Sequence, residues 1–142
     1  MKYQFIYFFM NIKFNIQETI ESEIFYGSYI IYILGGHHIK TNPDFYVQIK
    51  NLETNEDIEL KEFNLKGRDF KSGKKAIKFY SFDISKYGKF KISVHNYNDI
   101  VLKDSILEFF PFPFNIPNIL LSKILGRSSQ NRSIDAIEIL IQ

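Results

Sequence analysis

"KFKISVHN", residues 89–96, carries the most regular signal in the chain. Phe90, Ile92 and Val94 alternate with Lys89, Lys91, Ser93 and His95. Successive side chains of a strand point to opposite faces. The stretch therefore predicts a strand with one apolar and one wet face, as in antiparallel sheets that cover a core on one side only. Phe90, Ile92 and Val94 are expected in the core, and Lys89, Lys91 and His95 in solvent.

The same period recurs on both sides of this strand. In "FYVQIKNLETNEDIELK" (45–61), Phe45, Val47 and Ile49 share a face. Thr54–Asp57 is polar turn material, and Ile58 and Leu60 resume the alternation, which reads as a hairpin. "AIKFYSFDI" (76–84) is a further strand, turned at Ser85–Gly88. "SYIIYIL" (28–34) is apolar on both faces and reads as a central strand. "KFNIQETI" (13–20) places Phe14 and Ile16 inward, and "SIDAIEILIQ" (133–142) places Ile137, Ile139 and Ile141 on one face. "FFPFPFNIPNILLSKILG" (109–126) departs from the pattern. Its prolines cannot donate to a ladder, and a short helix is expected near 115–126, capped by Asn115 or Asn118 and ended by Gly126. About seven to eight strands at short spacing predict an all-β, antiparallel β-sandwich in one domain over 1–142.

"DISKYGKFKISVHN" (83–96) resembles the region of the next-to-last strand in immunoglobulin-like domains. Gly88, Phe90, Ile92, Val94 and Asn96 fall on that family's every-second-residue pattern. Phe90 stands in place of the corner tyrosine, Ile92 in place of a cysteine, and the chain has no Trp to complete that core. The resemblance spans 14 of 142 residues. It implies an immunoglobulin-like or jelly-roll sandwich and no particular function.

Composition narrows the chemistry. The chain has 15 Phe and 9 Tyr, which suit pleated, half-buried surfaces. It has no cysteine, so disulfides, thiolate metal sites and cysteine nucleophiles are excluded. The formal charge of +2 is too small to imply nucleic acid or an acidic membrane by itself. "MKYQFIYFFM" at the start is interrupted by Gln4 and is far too short to span a bilayer. It lacks a small-residue cleavage site, so a cytoplasmic protein is expected, with export left open. Met10 offers a second start, with residues 1–9 then a peripheral extension.

Three clusters merit a functional reading. "GGHHIK" (35–40) holds two of the three histidines. Adjacent histidines in extended chain point to opposite faces, so only His37 or His38 could join His95, with Asp44, around a metal. The competing reading is a diglycine turn with solvated histidines beside it, and that is the expectation. "KGRDFKSGKK" (66–75) offers Lys66, Arg68, Lys71, Lys74 and Lys75 as an anion- or nucleic-acid-binding loop. A solvated loop is the alternative, its field offset by Asp69 and by Glu53, Glu56, Asp57, Glu59 and Glu62 upstream. Phe109, Phe110, Phe112 and Phe114 could form a partner surface, or could plug one end of the core. No nucleophile motif is present. A non-catalytic binding or assembly module, acting through protein–protein contacts or self-association and without a cofactor, is the expected function.

Overall fold

Residues 11–103 and 134–142 are described by the computed structural model. The expected helix at 115–126, the Phe109–Phe114 segment and residues 1–9 lie outside them.

The expected antiparallel β fold is what forms. Eleven strand segments run β1 Ile12–Asn15, β2 Ile20–Ile24, β3 Gly27–Leu34, β4 His38–Lys40, β5 Tyr46–Asn51, β6 Lys61–Glu62, β7 Arg68–Lys71, β8 Lys74–Ile84, β9 Gly88–His95, β10 Val101–Lys103 and β11 Glu138–Ile141. Among the described residues the only helical piece is a 3-10 turn, Ile134–Ala136. All strand pairs are antiparallel. The larger sheet has the order β1-β11-β3-β8, with β6 and β7 both on the far side of β8. The smaller has the order β2-β9-β5, and β4 and β10 form a separate ribbon.

That ribbon continues the smaller sheet. Tyr46 pairs with His95, and Lys40 with Val101. Each strand spends the same number of residues between these pairs, so the register survives the gap. Two turns facing one another fill it. Phe45 N donates to Asn42 O at 2.9 Å, and Ile100 N to Tyr97 O at 3.0 Å. Asn42 Nδ2 donates to Asp99 Oδ2 at 3.1 Å, and Asn96 Nδ2 to Asp44 O at 2.8 Å, which ties the turns together. Two long strands are thereby cut into four, one reason the segments outnumber the seven or eight expected.

The first three strands alternate between the sheets, β1 in the larger, β2 in the smaller, β3 in the larger, and the chain crosses again from β8 to β9. The last strand, β11, lies between β1 and β3 rather than beside β9. An immunoglobulin order would seat the last strand next to the next-to-last one. The observed order places the last strand inside the larger sheet, between the first and the third.

The core lies between the sheets. One cluster contains Ile31, Ile33, Ile77, Phe79, Ile139 and Ile141 from the larger sheet and Val47, Ile49, Phe90, Ile92 and Val94 from the smaller. Each such side chain is worth about 1.5–3 kcal/mol when removed from water. The predicted inward residues of 89–96 and of the closing strand are all buried. The central position expected for 28–34 holds too: β3 has β11 on one side and β8 on the other. Its second face carries Tyr32 and Leu34, buried in a separate small cluster with Ala76 and Leu140.

Two expectations change in detail. The predicted strand over 13–20 ends at Asn15. Asn15 Oδ1 accepts from Gln17 N at 2.9 Å, and Glu18 N donates to Asn15 O at 2.9 Å, so the chain turns there and crosses to the smaller sheet. The predicted 45–60 hairpin closes as expected, with Asn51 N donating to Glu56 O and Ile58 N to Ile49 O, both at 2.8 Å. Its return arm makes one bridge, Lys50 with Asp57, and then leaves to supply β6 to the other sheet.

Candidate functional site

The diglycine of "GGHHIK" is a junction. Gly35 has φ 126, in the region that favours glycine. Its N–H donates to Lys75 O at the start of β8. A Cβ on Gly36 would meet Lys103 O at 2.8 Å, closer than side chains tolerate. His37 N donates to the same Lys103 carbonyl at 3.2 Å. The turn therefore ties β3 to the first residues of β8 and the last of β10, and both glycines have a backbone reason to be there.

The three histidines find separate partners. His37 Nε2 lies 3.2 Å from Asp69 O, and its ring stands edge-on to Phe70 at 5.0 Å. His38 is opposite Lys103 on the β4–β10 ribbon. His95 is on the outer face of the smaller sheet, stacked on Tyr46 at 4.6 Å. Asp44 is exposed in the turn at 42–45. No group of three or more His, Cys, Asp or Glu among the described residues is placed to hold a metal.

His95 is half-buried rather than exposed as expected, because the outer face of β9 is covered at this point. Its Nε2 lies 2.9 Å from Ser93 Oγ and 3.1 Å from Gln48 Oε1. Gln48 Nε2 in turn donates to Asp57 Oδ1 at 3.1 Å. The Asp57 carboxylate fixes the Gln48 amide, and the Gln48 oxygen can only accept, so His95 Nε2 carries the proton. A nitrogen already donating is not a base for Ser93. This row from Ser93 to Asp57 is a structural network, not a hydrolytic pair.

The basic segment 66–75 is a hairpin, not the loop that both readings expected. β7 pairs with β8 from Arg68↔Ile77 to Lys71↔Lys74. Ser72 and Gly73 turn it, with φ 53 and 74, a two-residue turn whose twist matches its strands. The five cations separate. Lys66 is bonded to Phe63 O, paired with Glu62 at 3.0 Å and set over the Phe79 ring at 4.6 Å. Lys71 is 3.9 Å from Asp69 and lies over Tyr32 at 5.1 Å. Lys74 pairs with Glu138, which Lys13 also approaches at 4.0 Å. Arg68 is exposed and Lys75 half-buried. Of the acids expected to offset this charge, Glu62 is nearby, but Glu53 and Glu56 are not. Leu52 N donates to Lys89 O, which puts their turn at the other end of the sandwich.

That other end carries the feature the sequence reading missed. Phe25 is 49% exposed, Tyr26 78% and Tyr87 48%. They sit on the two turns β2–β3 and β8–β9, and the rings of Phe25 and Tyr87 are 4.9 Å apart. Tyr29 Oη donates to Phe25 O at 2.8 Å and props that turn. The Tyr87 phenol is raised above its ordinary value by partial desolvation, by its hydrogen bond to Glu23 and by the Glu23 and Glu53 charges. A signal was present: "FYG" (25–27) and "KYG" (86–88) put aromatics beside glycines at the points where the alternation breaks.

Among the described residues no helix is long and apolar enough to cross a membrane. No family model, no curated protein and no solved structure matches this chain.

Proposed function

We propose that this chain is a non-catalytic β-sandwich module that binds another protein, and that Phe25, Tyr26 and Tyr87 form the contact. The observation that carries the reading is their exposure together. Three large aromatics on two neighbouring turns cost free energy in water unless something covers them. Aromatic residues are also the types enriched at the centres of protein interfaces. Glu23 and Glu53 beside Tyr87 would supply a polar rim.

The test compares captured partners across variants. A Phe25→Ser/Tyr26→Ser/Tyr87→Ser variant should lose a partner that wild type retains and that a Lys71→Ala/Lys74→Ala/Lys75→Ala variant also retains. Loss in the lysine variant alone would refute the assignment of the aromatic end.

A second reading, anion or nucleic-acid binding at the β7–β8 hairpin, gains from one observation. Glu53 and Glu56 stand too far away to cancel its charge. Binding of a labelled oligonucleotide that weakens with salt at a log–log slope of about −0.7 to −0.9 per phosphate, and that the lysine variant lacks, would favour it.

A further inference from the structure

The net charge of +2 conceals a polarity along the sandwich. β8 runs the length of the larger sheet, from Lys74 beside the hairpin turn to Ile84 beside the aromatic turns. Its ten steps of about 3.3 Å separate the two ends by about 33 Å. The screening length at physiological salt is about 8 Å, so each end acts electrostatically by itself. At the aromatic end, Glu23 and Glu53 act on the Tyr87 phenol, and Glu56 lies on the same turn as Glu53. Lys89 there is drawn to Glu21 at 3.8 Å, which leaves Lys86 against them. At the hairpin end, Lys13 and Lys74 share the single carboxylate of Glu138, and Arg68 adds a further exposed cation. The hairpin has its own exposed ring, Phe70, 67% accessible.

We infer that copies of this chain associate head to tail, the acidic aromatic end of one copy docking on the basic β7–β8 hairpin of the next. The inference rests on the reading of the aromatic end as a protein contact and names the partner as a second copy. Charge decides the orientation. A symmetric contact of aromatic end on aromatic end would set Glu23, Glu53 and Glu56 against their own counterparts. The heterologous contact pairs them with Arg68, Lys71 and Lys74 and brings Phe70 to the Phe25–Tyr87 pair. Opposite potentials of this kind set register and encounter rate more than affinity. A patch built from two or three turns is small, so the contact is of the weak, transient class. A head-to-tail contact does not close on itself as a two-fold dimer does; it continues into rings or filaments.

Sedimentation of the full chain over a concentration series, at low and high salt, tests this. Wild type should gain mass with concentration at low salt and lose that gain at high salt. Two variants disable one end each: Glu53→Lys/Glu56→Lys, and Arg68→Ser/Phe70→Ser, all exposed positions. Each alone should remain a monomer. Mixed, they retain one native pair of ends and should form a 1:1 dimer that grows no further. A wild type that stays monomeric at low salt overturns the inference, whether or not the variants fold. So does undiminished association of either variant, or a mixture that fails to pair. A monomeric wild type whose Phe25/Tyr26/Tyr87 variant still loses a different captured protein would leave the aromatic contact standing and remove only the second copy. Loss of wild-type association on adding an oligonucleotide that binds the monomer would support the hairpin as the receiving end. Oligonucleotide binding without any self-association would overturn it.

Discussion

β8 and β9 follow one another in the chain, each with strands on both sides, yet one was easy to read and the other was not. β9 keeps a single phase from end to end. Phe90, Ile92 and Val94 are buried, and Lys89 and Lys91 are exposed. β8 changes phase. Ile77 and Phe79 face the core, and so do Tyr80, Phe82 and Ile84. Between Ile31 and Tyr32 of β3 the register shifts by one residue on β8, a bulge at Phe79–Tyr80. Before the bulge the odd positions face inward; after it the even ones do. Alternation in sequence is therefore a reliable guide to a face only as long as the ladder is unbroken. The adjacent aromatics at 79–80 are the visible trace of the break.

Four measurements break or sharpen that contrast. Deleting Phe79 gives the largest effect. It removes the extra residue and leaves Ile77, Tyr80, Phe82 and Ile84 in one continuous phase. The expected cost is about 3–5 kcal/mol, that of losing a buried aromatic, with the β signal in circular dichroism retained. Complete unfolding would mean the bulge is needed for more than the Phe79 side chain.

Ile92→Ala in the uninterrupted strand should cost about 2–5 kcal/mol in denaturant unfolding, because a fully buried side chain leaves a cavity. A loss under about 1 kcal/mol would put Ile92 on the wrong face.

Tyr80, beside the bulge, is pushed up to about 12 by burial and secondarily by the charge of Glu62. The unfolded phenol titrates near 10. Its stabilising contribution is therefore complete below pH 10 and is lost as pH rises through about 12, a difference of about 1–2 kcal/mol once solvent screening of the phenol is allowed for. Tyr80→Phe should flatten the fall in stability across pH 10–12. An unchanged fall would assign it to other groups.

The smallest effect belongs to Lys91→Ala on the wet face of β9, within about 0.5 kcal/mol. A cost comparable to that of Ile92→Ala would erase the distinction between the two faces.

What could be read for the candidate site follows the same line. The diglycine was legible as a turn, since only a glycine suits the conformation at Gly35 and a β-carbon at Gly36 has no room beside Lys103. The cations of 66–75 were legible as a cluster, but not as a hairpin whose lysines are divided among Glu62, Asp69 and Glu138. Glu138 is distant in sequence and reaches Lys74 only because β11 enters beside β3. The aromatic end was not legible. Phe25 and Tyr87 are far apart in the chain and meet because two turns cross between the sheets at the same end.

By itself the sequence determined the antiparallel β class, the inward face of β9 and of the closing strand, and the central place of 28–34. Each is a local consequence of side-chain period and of which residues water rejects. Tertiary structure alone decided the strand order of the two sheets, the crossing of the chain at Asn15, the covering of His95 by Tyr46 and Gln48, and the separation of acidic from basic ends. Those depend on which strands pair, and strand pairing joins residues whose distance along the chain carries no trace of their contact.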